Sequence, residues 1–187
     1  MNPDSRSERR VRLRDRLRAD TQASILAAAE QVFAAAGIQR ARMESIAARA
    51  GVAVGTLYNY FEDREGLLSA LVAERRAALL RRLDAALADG EKRSFEESLA
   101  GLLGALFDHW AAHRGLLSVL LQAEGGGLAH RGRGPLLDEV GRRVETVLRR
   151  GRAARRLQAD ARGLQAALLV GMVRGVLRED AVRSAEE

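Results

Sequence analysis

The chain is 187 residues long, enough for one medium domain or for a small domain joined to a larger one, and either can bury a real core. It has no cysteine, which excludes a disulfide framework and a thiolate zinc site, and residues 1–20 are charged where a secretory signal would carry its apolar core. The formal charge of +6 is unevenly spread: residues 1–20 hold seven arginines against four acids, whereas residues 21–66 hold four arginines against five acids.

Strand signals are sparse, with no sustained alternation outside the short Arg10–Arg14 stretch, and helix signals run throughout. The leading block SRSERRVRLRDRLR reads either as a solvated tail or as a basic arm for phosphates or a minor groove. A first helix is predicted from Asp20 or Thr21 to Ala36, with Ile25, Ala29, Val32, Phe33 and Ala36 along one face and Gly37 as its stop. Residues 43–62, MESIAARAGVAVGTLYNYFE, predict a helix, a tight turn at Gly51 and a second short helix. Met43, Ile46, Ala47 and Ala50 repeat at helical spacing, and Val52, Leu57 and Phe61 supply the next buried face. What remains outward is Gly55, Thr56, Tyr58, Asn59 and Tyr60, the hydroxyls, amide and bare backbone that bond phosphates and base edges.

Asp63 is a suitable N-cap for a fourth helix running to about Gly90. A fifth starts near Ser94 and runs through Trp110, and a shorter one covers Leu116 to Leu121. Gly125 to Pro135 predict a mobile loop, with five glycines and a proline in eleven residues. Two more helices follow, from Leu136 to about Arg152 and from Asp160 to about Arg178. The apolar run from Gly163 to Val173 has eleven residues, short of the roughly 20 that span a bilayer, so no membrane segment is expected and a cytoplasmic protein is.

An alanine-rich helix ending AAAG at Gly37, then SIAARAGVAVGTLYNYF, then a helix entered through EDREGLL, occur here in one order and at fixed intervals. On these pieces the stretch from about Thr21 to Leu71 resembles the N-terminal domain of TetR-type transcriptional repressors. The resemblance implies an all-α fold of about nine helices. Its parts would be an arginine-rich arm at 1–20, a three-helix helix-turn-helix DNA-binding domain at 21–66, and a helical effector-binding and dimerisation domain at 67–187. The DNA contacts it implies fall on Arg42, Gly55, Thr56, Tyr58, Asn59, Tyr60 and Arg64. Where family members often have capping hydroxyls and a lysine, this chain has Ala41, Ala53 and Val54, which removes about 1 kcal/mol per cap and one phosphate contact.

The resemblance also implies a twofold homodimer through the last two helices, which would set two recognition helices roughly 34–36 Å apart on a palindromic double-stranded operator. Val140, Val144 and Val147 form a stripe on one of these helices, and Ala167, Gly171 and Gly175 recur every fourth residue on the other; small residues at that spacing suit a partner helix or a helix of the same chain. A small apolar effector is the implied ligand. Phe107, Trp110, Leu121, Gln122 and Met172 have the side chains to line its pocket or, as most such side chains on helices do, to fill a core, and His109 and His113 to line the cavity or to stand on the surface near the helix end. His109 and His113, four apart with His130 the only other histidine, make a weak metal pair, so no metal or other cofactor is expected. No nucleophile arrangement, phosphate-cradling loop or dinucleotide fingerprint occurs, and no enzyme is expected. The alternative function is an effector-independent regulator or activator whose C-terminal part only dimerises.

Overall fold

The computed structural model describes residues 3–88, 93–124, 135–158 and 164–186, with the side chains of 3–11, 121–124, 135 and 184–186 outside that description. Among the described residues there are seven helices and no strand: α1 (Pro3–Ala36), α2 (Met43–Ala50), α3 (Val54–Tyr58), α4 (Arg64–Ala88), α5 (Phe95–Glu124), α6 (Pro135–Ala153) and α7 (Leu164–Glu186). The expected count of about nine falls to seven. In particular, the helices predicted at 94–110 and 116–121 are one element, α5, bent at His113, whose φ of −122° and ψ of 18° leave the helical region. The glycine loop predicted from Gly125 lies outside the described residues up to Pro135, where α6 begins. The chain divides into two compact units, Met1–Ala73 and Glu74–Glu187.

In the first unit, residues 3–20 form the first half of α1, so the helix expected from Asp20 or Thr21 starts at Pro3 instead. Pro3 stands at the first helical position, which suits a residue without an N–H. No glycine or proline follows before Gly37, and arginine, leucine and alanine are good helix formers. Residues 12–20 are exposed, and the buried face starts at Ile25, continuing through Leu26, Ala28, Ala29 and Phe33. Gly37, at a φ of +77°, ends the helix in the left-handed conformation, where a side chain would be strained.

The second unit packs the later part of α4 with α5, α6 and α7. Leu79 and Leu83, Leu102 and Leu106, Val140, Val144, Val147 and Leu148, and Val170 close one core. α5 starts in a capping box: the Glu97 N–H donates to Ser94 Oγ (3.2 Å) and the Ser94 N–H donates back to Glu97 Oε2 (2.8 Å). Around the core, Arg143 grips Asp84 with two bonds of 2.7 and 2.8 Å, which holds the Asp84 carboxyl below the usual range. On the other side the Trp110 indole N–H donates to Asp180 at 2.7 Å, and Arg114 donates to both oxygens of the same carboxylate at 2.8 Å. One carboxylate on α7 thus ties two successive turns of α5.

Gly151 of α6 is buried against the Phe95 ring; a Cβ there would stand 2.7 Å from two ring carbons and 3.1 Å from Leu157 Cδ1. Gly141, ten positions earlier on the same helix, has open space at that point. Gly141→Ala should therefore raise stability by about 0.4–1 kcal/mol, as a helical Gly→Ala change does where it fits. Gly151→Ala should lower it by about 1–3 kcal/mol through overpacking. Thermal unfolding of both variants checks the opposite signs. The Asp180 carboxyl is held below its ordinary value of 3.8 by the Trp110 hydrogen bond first and by Arg114 second. Its contribution to stability is complete above that ordinary value and is lost as pH falls through the lower, folded-state value. Asp180→Asn should be less stable than the parent at neutral pH, and the gap should narrow in acid-unfolding profiles below about pH 4.

Candidate nucleic-acid interface

α2 and α3 occupy the predicted positions, joined by a turn whose geometry the backbone specifies. Gly51 has a φ of +69° and donates its N–H to the Ala48 carbonyl, while the Val52 N–H reaches the Ala47 carbonyl at 3.0 Å. This pair of bonds is a Schellman motif, and it depends on a residue that tolerates the left-handed conformation. α3 has only five residues, too few to persist alone. Leu57, fully buried, and Phe61 just beyond the helix fasten it against the buried Met43, Ile46 and Ala47 of α2. Both α2 and α3 lack a side-chain N-cap: Arg42 and Ala53 stand at those positions without the bond, and Ala41 is buried one residue earlier.

With Leu57 underneath, the other α3 residues are turned outward. Gly55 and Asn59 are exposed, Tyr58 is 46% exposed, and Thr56 and Tyr60 are half-buried. A Cβ on Gly55 would meet nothing within 4 Å, so neighbours inside the chain give no steric reason for glycine there. Arg42 is exposed in extended backbone directly before α2. Arg64 is engaged within the unit: Nη1 donates to the Gln39 carbonyl at 2.7 Å and Nη2 to Gln39 Oε1 at 3.3 Å, tying the α1–α2 loop to the start of α4. Asp63 caps that start, accepting the Gly66 N–H at 2.7 Å, as its position predicts.

Tyr60 does not project freely. The Arg18 guanidinium lies over its ring, 5.6 Å from the centroid. Beside it is an open hollow of about 460 Å³ between α1, which contributes Arg14, Leu17, Arg18 and Thr21, and the α3 region, which contributes Thr56, Asn59 and Tyr60. Sequence reasoning offered Arg14 and Arg18 only as part of the leading basic block and missed Thr21 and Gln39. The first three share a helical register, spaced by three and four, that becomes visible only once the first helix is extended upstream of Asp20.

In the second unit the described residues among those expected to line a ligand pocket differ in exposure. Phe107 and Met172 are turned outward, at 40% and 60% exposure, while His109 and Trp110 are buried and the Trp110 N–H is bonded to Asp180. His113 is half-buried at the bend of α5, its ring 4.6 Å from that of His109. The side chains of Leu121 and Gln122, and all of His130, lie outside the described residues. The expected dimer stripe on α6 is corrected: Val140, Val144 and Val147 point into the chain's own core and are not available to a partner. On α7, Ala167 is half-buried and Gly171 and Gly175 are exposed, beside Leu164, Leu168, Met172 and Val176, which are 56–66% exposed.

Comparison with known proteins agrees with this geometry. A family model described as bacterial regulatory proteins, tetR family, matches residues 25–71. The chain is 33% identical over 95 residues to the fatty acid metabolism regulator protein of Bacillus subtilis, a match covering 51% of this chain and 48% of that protein. The chain thus spans about half the length of this relative. Its fold is similar to that of FadR from Bacillus subtilis in complex with stearoyl-CoA, with a TM-score of 0.62 and 23% identity over 88% of this chain and 89% of that one. It is also similar to the triclosan complex of SmeT, the repressor of a Stenotrophomonas maltophilia multidrug efflux pump, with a TM-score of 0.67 and 23% identity over 89% and 82% of the two chains. Residues 25–71, which carry the helix-turn-helix, match the tetR family of bacterial regulatory proteins.

Proposed function

We propose that the protein is a homodimeric, sequence-specific DNA-binding transcriptional regulator acting in the cytoplasm, a repressor released from a palindromic operator by a small apolar effector. The observation that carries this reading is α3 itself, a short helix fastened from below by Leu57 with Gly55, Tyr58 and Asn59 left exposed. Asn59 can bond an adenine edge with two hydrogen bonds, Thr56, Tyr58 and Tyr60 can donate to phosphates, and Gly55 lets the DNA backbone come close. Arg42 meets a phosphate from the loop that Arg64 anchors through Gln39, so Arg64 acts on the contact surface by holding it. The exposed α7 row of Leu164, Leu168, Met172 and Val176, with open space at Gly171 and Gly175, supports a twofold contact between copies.

An apolar part to the effector is supported by the similar structures solved with stearoyl-CoA, whose acyl chain is apolar, and with triclosan. A ligand shifts the protein only through differential affinity for its DNA-competent and released states, and moving a 99:1 population to 1:99 takes about 5.5 kcal/mol. Asn59→Ala should still sediment as a dimer and lose roughly 5- to 150-fold in operator affinity, the range for one bidentate base contact. Leu168→Glu with Met172→Glu should sediment as a monomer and bind operator weakly. Full operator affinity in either variant would count against the assignment. Operator release on titration with stearoyl-CoA or triclosan supports the effector arm; binding indifferent to a panel of apolar ligands would favour a regulator that only dimerises.

A further inference from the structure

We propose that the N-terminal half of α1 is part of the DNA-contacting surface, with a DNA phosphate seated in the hollow between Arg14 and Arg18 on one side and Thr56, Asn59 and Tyr60 on the other. This inference rests on the reading of the chain as a DNA-binding regulator and adds a second element to its contact surface. Four observations carry it. Residues 12–20 are exposed, the large apolar Leu13 and Leu17 among them at 58% and 57%, so core formation does not account for this stretch of helix. Arginines stand at positions 6, 10, 14 and 18, every fourth residue, a like-charge spacing that disfavours an isolated helix and that a polyanion relieves.

The hollow is lined by two guanidiniums, two hydroxyl-bearing threonines, an amide, a phenol and the side chain of Leu17, and none of its lining residues is acidic. That set of donors matches a phosphodiester, which offers only acceptors. Finally, the Arg18 guanidinium lies over the Tyr60 ring, 5.6 Å from its centroid, and a guanidinium on a ring face has N–H groups left for a phosphate. Arg18 thus has two roles, phosphate contact and support for the Tyr60 ring. The geometry also explains how a helix-turn-helix with more acids than arginines over residues 21–66 meets a polyanion: the missing positive charge is carried by the helix that precedes it.

The test uses the full chain and a short duplex of arbitrary sequence, with affinity followed by fluorescence anisotropy over a series of salt concentrations. Arg14→Gln with Arg18→Gln should bind more weakly, and the slope of log K against log salt should fall by about 1.8, the value for one phosphate in the hollow of each copy of the dimer. Arg14→Lys with Arg18→Lys should keep the parent slope, because a point charge suffices for counterion release. An unchanged slope in the glutamine variant, or a slope lost equally in the lysine variant, overturns the inference and leaves the regulator reading standing. No binding of the parent protein to any duplex overturns both.

Discussion

The constraint on which the DNA-reading surface depends is that α3 cannot hold itself. Five residues form barely more than one helical turn, and both it and α2 start without a side-chain cap. Burying Leu57 contributes about 1.5–3 kcal/mol, more than the roughly 1 kcal/mol that a missing cap costs, so packing decides the outcome. Gly51 then sets the direction in which α3 leaves α2, because its left-handed conformation lets two turn bonds close at once. The outward positions of Tyr58 and Asn59 follow from these two residues.

That arrangement was legible in the sequence because each part is local. Gly51 falls one residue past a helical apolar repeat, Asp63 and Ser94 stand at helix starts and make the bonds their positions predict, and Leu57 and Phe61 share one face. The first half of α1 was not legible: a block of seven arginines in twenty residues reads as solvated chain on charge alone, although the same residues are good helix formers. Arg64 shows another limit. Its position on the family pattern suggested a phosphate contact, but its two bonds go to Gln39, which lies 25 residues away and carries no local signal.

In the second unit the sequence showed which helix faces were apolar without showing which was used inside the chain. Val140, Val144 and Val147 and the row from Leu164 to Val176 both repeat at helical spacing. Only the packed structure separates them: the valines close the core with Leu83 and Leu102, and the α7 row stays outside. Trp110 is a similar case, since its indole N–H is spent on Asp180, which aligns α5 with α7 and removes it from the set of simple pocket liners. Supply of positive charge by the first half of α1, contact by α3, and pairing of two copies through α7 form one proposal about how the protein grips DNA.

The most direct measurement of that proposal is selection of bound duplexes from a random pool with the full chain, followed by sequencing. The account predicts enrichment of an inverted repeat whose half-sites are centred roughly one helical turn apart, about 10–10.5 base pairs, as two α3 helices of a twofold dimer require. Enrichment of a single unpaired half-site, or of no sequence at all, would contradict it.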